Sequence, residues 1–412
     1  MVNKLSDLKV YFDQRNIGNY DRNNYDKFLK EIKANFSFPS VHITGTNGKG
    51  STSNFISNIL IKANYKVAFY HSPYFYSPLE MININNNHIS EEKFLEYFNK
   101  YEQYFDKYNL SEFEIETFIA LTYFKDENVD IAIIEVGMGG EIDATNVLSN
   151  SILQIITSVS LEHTAYLGKS ISEIALSKSG IFKENSKVLI GDLPFEAKEV
   201  ISNQVRLLGS KLYEVSDTSF EKVIDNEVSF SYLKFENIRL NTIALYQCKN
   251  AKIAIEAALI LRERFNISDQ NIYDGLKAIE LPCRMEKVGK NIILDGAHNV
   301  EAMTNLLDSL QKIDHPEIIT LFAAFKDKNI DGMLSLLSRD SSKVIITTFD
   351  HKRARTEEDY FLYLFDYEFN ADYKNALDYL IKENEDKLIL VTGSLAFVAE
   401  VKRYLKEEKH YV

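Results

Sequence analysis

Residues Gly45-Thr46-Asn47-Gly48-Lys49-Gly50-Ser51-Thr52 place glycines, a lysine and paired hydroxyls between a β-rich run, Pro39 to Thr44, and a helical apolar pattern that starts near Asn54. That order suits a phosphate-binding loop. Glycines let the backbone turn tightly enough to aim several N–H groups at one anion, and a helix N-terminus adds its positive dipole. Lys49 would reach the outer phosphates, Asn47, Gly48, Gly50 and Ser51 would line the loop, and Ser51 or Thr52 would stand near a magnesium ion. The strict pattern G-x-x-x-x-G-K-[ST] is broken twice. Ile43 occupies the first glycine position, and Gly50 separates Lys49 from Ser51. A generic glycine turn is the plain alternative, and the sequence of strand, loop, lysine and helix argues against it.

The elements around the loop read as an α/β protein. Ile131 to Val136, Ile152 to Thr157 and Lys187 to Ile190 are short, nearly continuous apolar runs, as expected for parallel strands buried on both faces. Glu92 to Phe105 and Ala251 to Arg264 carry aromatic or aliphatic stripes at helical spacing, which we read as core-facing. From Lys211 to Leu240 the pattern shifts to short alternating strands, read as a β-rich subregion. A second β/α series runs through Asn291–Asp295, Ile318–Phe322, Val344–Thr348 and Lys387–Ser394. The expected division is therefore residues 1–285 and 286–412.

Composition narrows the class. The 412 residues carry a formal net charge of -13, and this acidity excludes a general nucleic-acid binder, leaving only local basic pockets for an anionic substrate. Cys248 and Cys283 have neither metal-ligand spacing nor the density of a disulfide framework, which points to a reducing compartment. The first residues lack the apolar stretch of a signal peptide, and no apolar run is long enough to span a bilayer. The expectation is a cytoplasmic monomer with no membrane association.

The phosphate loop belongs to a longer ordered set: His71-Ser72-Pro73, Phe113-Glu114, Glu135-Val136-Gly137-Met138-Gly139-Gly140, Asp143-Ala144-Thr145-Asn146, Glu162-His163-Thr164, Lys178-Ser179-Gly180-Ile181, Pro282-Cys283-Arg284 and Asp295-Gly296-Ala297-His298-Asn299. Together with Gly45 to Ser51, these resemble the folylpolyglutamate synthase and dihydrofolate synthase family of the Mur ligase superfamily, along nearly the whole chain. The resemblance implies a three-layer P-loop ATPase domain of the Mur ligase central type followed by a smaller Rossmann-like glutamate-ligase domain, with the active site in the cleft between them. It implies the reaction too: ATP phosphorylates a carboxylate, and the amine of L-glutamate displaces phosphate to form an amide.

Residue roles follow from the same resemblance. Ser72, Glu114, His163 and Lys178 gather magnesium, Lys178 as a carbamate that turns a cation into an oxygen ligand. Plain alternatives exist: a turn residue at Ser72, a solvated face for Glu112, Glu114 and Glu116, a structural histidine at His163, a surface lysine at Lys178. Asn250 would meet the adenine edge, within a Gln247 to Ala251 segment, Arg284 a phosphate, and Asp295 the ribose, or else simply end its strand. Asp143, His298 and Ser394 would contact substrate, His298 by helping to hold glutamate, with Lys326, Arg353 and Arg355 as further anion contacts. Residues Ile17 to Arg22 lie where the family meets the pteroate side, and match it poorly. The chain also departs from the family at Ser177, Ser179, Glu162 (usually Asp), Glu141 (usually Arg) and Val300 (often Pro). The expected activity is addition of L-glutamate to a tetrahydrofolate polyglutamate tail. Dihydrofolate synthase or bifunctional activity is the alternative, and a peptidoglycan Mur ligase or an inactive nucleotide-binding protein is less consistent with the motifs.

Overall fold

The computed structural model describes residues 2, 4–13, 15, 21–216 and 221–407. By compactness the chain divides into two units, one of Met1–Thr218 with Lys249–Ile279, the other of Ser219–Cys248 with Glu280–Val412. The last break in this division follows Ile279, and residues 219–248 group with the later part of the chain.

Among the described residues the first unit holds an eight-stranded sheet built from β1 (Ser40–Thr44), β2 (Val67–Tyr70), β3 (Ile82–Ile84), β4 (Asn87–His88), β5 (Ile131–Glu135), β6 (Ser151–Ile156), β7 (Lys187–Ile190) and β8 (Lys211–Glu214). Its order is β4-β3-β2-β5-β1-β6-β7-β8. Strands β2 to β8 through β5, β1, β6 and β7 pair in parallel, and β3 and β4 add an antiparallel edge. Strand β1 runs between β5 and β6, with Ile43 opposite both Glu135 and Ile155. The loops leaving β1, β5 and β6 therefore emerge side by side at one edge of the sheet. That is where open α/β sheets bind ligands.

Alternation along the strands sorts the two faces. Ala132 and Ile134 of β5 join a cluster of Phe28, Phe94, Phe98, Phe105, Phe118 and Phe124, carried by the helices Asn23–Glu31, Glu91–Lys107 and Glu112–Asp126. Phe28 and Phe118 meet edge to face at 4.8 Å, a favoured geometry of the ring quadrupoles. The chain contains no Trp but 26 Phe and 24 Tyr, and this cluster uses many of them. On the other face Glu135 stands beside Gly50 of the helix Lys49–Lys62. That helix lies so close to the helix Asp269–Lys277 that a Cβ on Gly275 would come within 2.5 Å of the Ile59 Cα. Helix, sheet and helix make three layers.

The second unit contains an antiparallel sheet of β9 (Glu221–Ile224), β10 (Glu227–Tyr232) and β11 (Phe235–Leu240). Its larger sheet comprises β12 (Glu286–Val288), β13 (Ile292–Leu294), β14 (Ile318–Phe322), β15 (Lys343–Thr347), β16 (Glu368–Asn370) and β17 (Leu388–Thr392), in the order β12-β13-β17-β14-β15-β16. From β13 to β16 the pairing is parallel, and β12 is an antiparallel edge. No helix among the described residues is long and apolar enough to cross a membrane.

Burial of a titratable group in this core has a measurable consequence. His42, on β1, is fully buried, and that burial, helped by the nearby charge of Lys183, drives its imidazole down to about 3. In an unfolded chain a histidine titrates near about 6.5. Between these values the unfolded state binds a proton that the folded state refuses. Stability is expected to fall on acidification below about pH 6.5, at up to about 1.4 kcal/mol per pH unit from this group, with no contribution above it. Urea unfolding of wild type and His42→Gln between pH 7 and pH 5 checks this: the variant should lose less stability over that range, and parallel profiles would rule it out.

Candidate active site

The phosphate loop is clasped by the chain that follows β6. Thr46 N–H donates to the Ser158 carbonyl (2.9 Å) and Asn47 N–H to Ser158 Oγ (2.8 Å). The Thr157 hydroxyl in turn donates to the Asn47 carbonyl at 2.7 Å. Gly45 is required by close approach, since a Cβ there would fall 1.9 Å from Thr157 Oγ1. Gly48 has φ +85, and a Cβ on it would fall 2.2 Å from the amide oxygen of Asn250. Two unrelated constraints thus demand glycine at the loop's two turning points. The helix begins at Lys49, five residues before the apolar pattern suggested, because the loop lysine is itself the first helical residue. Thr52 is sealed in the interior, which leaves Ser51 as the candidate hydroxyl of the pair.

Lys49 Nζ folds back over the loop, donating to the carbonyls of Gly45 (2.8 Å) and Thr46 (3.3 Å). Its charge also reaches Glu162. Glu162 pairs with Lys178 at 3.1 Å, and the two side chains are only 7% and 1% exposed. The plain alternative of a surface lysine at Lys178 is therefore wrong. Burial presses the Lys178 amine down, further lowered by Lys49 and partly restored by Glu162, to about 8. Burial would raise the Glu162 carboxyl, but Lys49, Lys178 and His163 together outweigh it and hold the group down at about 2. Lys178 arrives here on the last turn of the helix Ile171–Ser179, which lies against the glycine-rich loop after β5: a Cβ on Gly140 would sit 2.7 Å from the Lys178 carbonyl.

His163 adopts φ +46, uncommon for a residue with a side chain. A turn holds it there, with the N–H groups of Tyr166 and Leu167 donating to its carbonyl at 2.8 and 3.0 Å. Glu114 is buried in the first turn of the helix Glu112–Asp126, where one oxygen accepts from Ser111 N–H (2.7 Å) and Ser111 Oγ (2.8 Å) in a capping box. Glu116 is buried as well, with burial and then Glu112 raising its carboxyl well above the usual range. The idea of a solvated acidic face fails for both. Ser72 follows β2, joined to Pro73 by a cis peptide.

Among the described residues no three His, Cys, Asp or Glu side chains converge as a metal centre. The residues present fit magnesium better than a cation needing a closed protein cage: magnesium keeps waters and is held by one or two carboxylates with phosphate oxygens. Glu114 and Ser72 offer oxygens and His163 an imidazole nitrogen that could contribute to so sparse a set, while Lys178 stands as an amine paired with Glu162.

Asp143 is buried in the turn after the double glycine. Its oxygens accept from Met138 N–H (3.0 Å), Thr145 N–H (2.9 Å) and Thr145 Oγ1 (2.5 Å). Burial raises its carboxyl, while these donors work the other way. Arg22 Nη1 donates to the carbonyls of Glu141, Asp143 and Asn146 at 3.3, 3.2 and 3.4 Å. Of the Ile17 to Arg22 stretch, residues 17–20 lie outside the described residues, and Arg22 is the part with a visible job.

In the second unit, Asp295 at the carboxyl end of β13 is buried and engaged by Tyr246 Oη (2.6 Å), Met285 N–H (2.9 Å) and Ala297 N–H (2.8 Å). Burial lifts its carboxyl, opposed chiefly by Arg284. His298 Nδ1 lies 2.9 Å from the Gly296 carbonyl, which fixes that nitrogen as a donor. Asn299 caps the helix Val300–Leu310 by accepting from Ala302 N–H, so Val300 takes the first helical position without loss of the cap. Ser394, at the end of β17, is 1% exposed and its hydroxyl has no hydrogen-bond partner among the described residues. Lys326 pairs with Asp359 (3.0 Å) and Arg353 with Asp327 (2.8 Å), while Arg355 donates to the carbonyls of Asp359, Lys326 and Lys328. Those three cations organise their own loops.

Three residues of the first unit, Glu135, Ser158 and Glu162, and one of the second, Tyr246, had no role in the sequence reading. Glu135 was visible as an acid ending a buried strand, and Glu162 as a second acid beside His163. Ser158 and Tyr246 offered no signal.

A nucleotide-type loop on a three-layer sheet, followed by a second parallel sheet, defines an ATP-dependent ligase of the Mur class, and known proteins agree. The Mur ligase middle domain matches residues 43–258, and the Mur ligase glutamate ligase domain residues 283–395. The dihydrofolate synthase/folylpolyglutamate synthase of Bacillus subtilis is 32% identical, covering 92% of this chain and 94% of that one. The folylpolyglutamate synthase of Lacticaseibacillus casei is 29% identical over 89% of each. The solved structure of E. coli FolC in complex with DHPP and ADP superposes with a TM-score of 0.89 at 25% identity, covering 99% of both chains. This chain belongs to the dihydrofolate synthase/folylpolyglutamate synthase family of Mur ligases.

Proposed function

We propose that the chain is an ATP- and magnesium-dependent ligase that adds L-glutamate to a folate, extending its γ-linked glutamate tail. The observation that carries this reading is the buried Glu162–Lys178 pair, with the half-buried Lys49 reaching it by charge, beside a glycine-gated phosphate loop. A carboxylate becomes an electrophile only when one oxygen is made a leaving group. Its attack on the terminal phosphorus of ATP releases ADP, and the amine of glutamate then displaces phosphate from the acyl carbon. Two anions must meet for the first step, so cations and N–H donors have to be in place beforehand. Lys49 and the N–H groups of the loop are such donors, with Asn47, Gly48, Gly50 and Ser51 lining it. Ser72, Glu114, His163 and carbamylated Lys178 would hold magnesium, which supplies charge neutralisation when bound. Asn250, Arg284 and Asp295 would receive the nucleotide, Asp143 the acceptor, and His298 and Ser394 the glutamate. A related bifunctional folylpolyglutamate synthase/dihydrofolate synthase, 25% identical with a TM-score of 0.85, has been crystallised with Mn, AMPPNP and L-glutamate, which supports the substrate and metal classes. Domains of residues 1–285 and 286–412, a monomeric state and a cytoplasmic location belong to the same proposal.

The second reading, dihydrofolate synthase activity alone or in addition, is favoured by the name of the Bacillus subtilis relative. The two activities differ in the acceptor. Glu141, exposed on the Asp143 loop, places a negative charge where an anionic substrate tail would approach, and like-charge repulsion there alters which acceptors are taken. Reduced folates already bearing glutamate should be elongated, and dihydropteroate used poorly. The measurement is kcat/KM for tetrahydrofolate and dihydropteroate at fixed ATP, magnesium and glutamate. Equal or higher efficiency with dihydropteroate would reverse the order, and no amide formation with either would end both readings.

A further inference from the structure

We propose that His42 is a positioning residue for the acceptor, acting on Asp143 through the hydroxyl of Thr145. The inference rests on Asp143 being an acceptor contact. It concerns residues that the phosphate chemistry leaves unused. His42 lies three residues before Gly45 on β1, fully buried, with Nε2 2.8 Å from Thr145 Oγ1. Thr145 Oγ1 is in turn 2.5 Å from Asp143 Oδ1.

Proton counting gives this chain a direction. Each Asp143 oxygen already accepts from a backbone N–H, Oδ1 from Thr145 and Oδ2 from Met138, so the carboxylate acts as acceptor. The Thr145 hydroxyl has one hydrogen, and at 2.5 Å that hydrogen goes to Asp143. Its remaining capacity is as an acceptor, so His42 Nε2 must carry the proton it receives. His42 is then the neutral Nε2–H tautomer, and Nδ1 is a bare acceptor. Nδ1 is indeed buried without a hydrogen-bond partner among the described residues. A half-satisfied imidazole in the interior is unfavourable, and a residue chosen only to fill the space would be apolar. The hydrogen bond from Nε2 is what the ring contributes. It ties the strand that enters the phosphate loop to the turn that carries Asp143, and Arg22 holds the same turn by its carbonyls.

The test compares full-length wild type, His42→Gln, His42→Leu and Thr145→Val by steady-state kinetics, with tetrahydrofolate and ATP varied separately. A glutamine amide can place an N–H near the position of Nε2, whereas leucine cannot. Thr145→Val, which loses a hydrogen bond to a charged group, should raise KM for the folate about tenfold, and His42→Leu, which loses a neutral one, about fivefold, and both should leave KM for ATP within about twofold. His42→Gln should recover most of the loss. A rise in both KM values together would mean that His42 merely supports β1, and would overturn the proposal, as would equal behaviour of His42→Gln and His42→Leu. If His42→Leu fails to fold, nitrogen NMR of the His42 ring in the wild type decides: an Nε2–H tautomer supports the relay, an Nδ1–H tautomer refutes it. Asp143→Asn separates the underlying reading. An unchanged folate KM in that variant removes Asp143 as an acceptor contact, and the tautomer still tests the hydrogen-bond chain.

Discussion

Lys49→Ala is expected to abolish turnover. The Lys49 ammonium rests on two loop carbonyls, within reach of the Glu162 charge, so it is held over the loop by groups that phosphate oxygens can replace. In phosphoryl transfer the developing charge lies on the transferred oxygens, and the protein's contribution is mainly preorganised positive charge. Removing one such donor costs on the order of 3 kcal/mol at the barrier, or more than a hundredfold in rate. Alanine also leaves Glu162 with one cation fewer, which adds repulsion toward any phosphate. The measurement is ADP release at saturating ATP, folate and glutamate, with circular dichroism to check the fold. Turnover near that of wild type would remove Lys49 from the mechanism.

How much of this was legible before the structure depends on how local each signal was. The buried parallel strands β5, β6, β7, β13, β14 and β17 announced themselves as apolar runs, because both faces are covered and alternation is lost. The short edges β3, β4, β12 and β16 were not legible: three residues or fewer carry no period, and β4, Asn87–His88, is exposed and polar. Lys211 to Leu240 read as a β-rich patch, yet that residues 219–248 join the later unit is a matter of long-range packing that spacing does not encode. The site shows the same division. The phosphate loop is one contiguous segment and was visible as such. That Glu135 faces Gly50, or that Ser158 grips Asn47, follows only once β1 is known to lie between β5 and β6. Glu162 and Lys178 are sixteen positions apart, separated by a turn and a helix, and the sequence alone gave no reason to pair them.

That pair is the ground for the second large effect: Lys178→Ala is expected to be nearly inactive. As an ammonium, Lys178 neutralises Glu162 in a buried site. Alanine removes the partner and leaves a buried carboxylate compensated from one side only, an arrangement that strongly disfavours the native site. The working form we propose is the carbamate, in which the Lys178 nitrogen has added to carbon dioxide and lost a proton. This step needs the neutral amine, and burial, which pulls the ammonium toward about 8, makes that form accessible. It also replaces a positive charge beside Glu162 with a negative one. Two anions this close require cations between or beside them, and Lys49 with a divalent metal would meet that need. The two roles are separable by experiment. A short carboxylic acid added to Lys178→Ala returns oxygens to the metal without restoring a cation for Glu162, so partial recovery of turnover supports the carbamate. Recovery with a small alkylamine and none with the acid would assign Lys178 to charge pairing instead. A high-resolution structure with ATP and magnesium bound gives the direct reading, and a free ammonium on Lys178 in that complex would end the carbamate proposal.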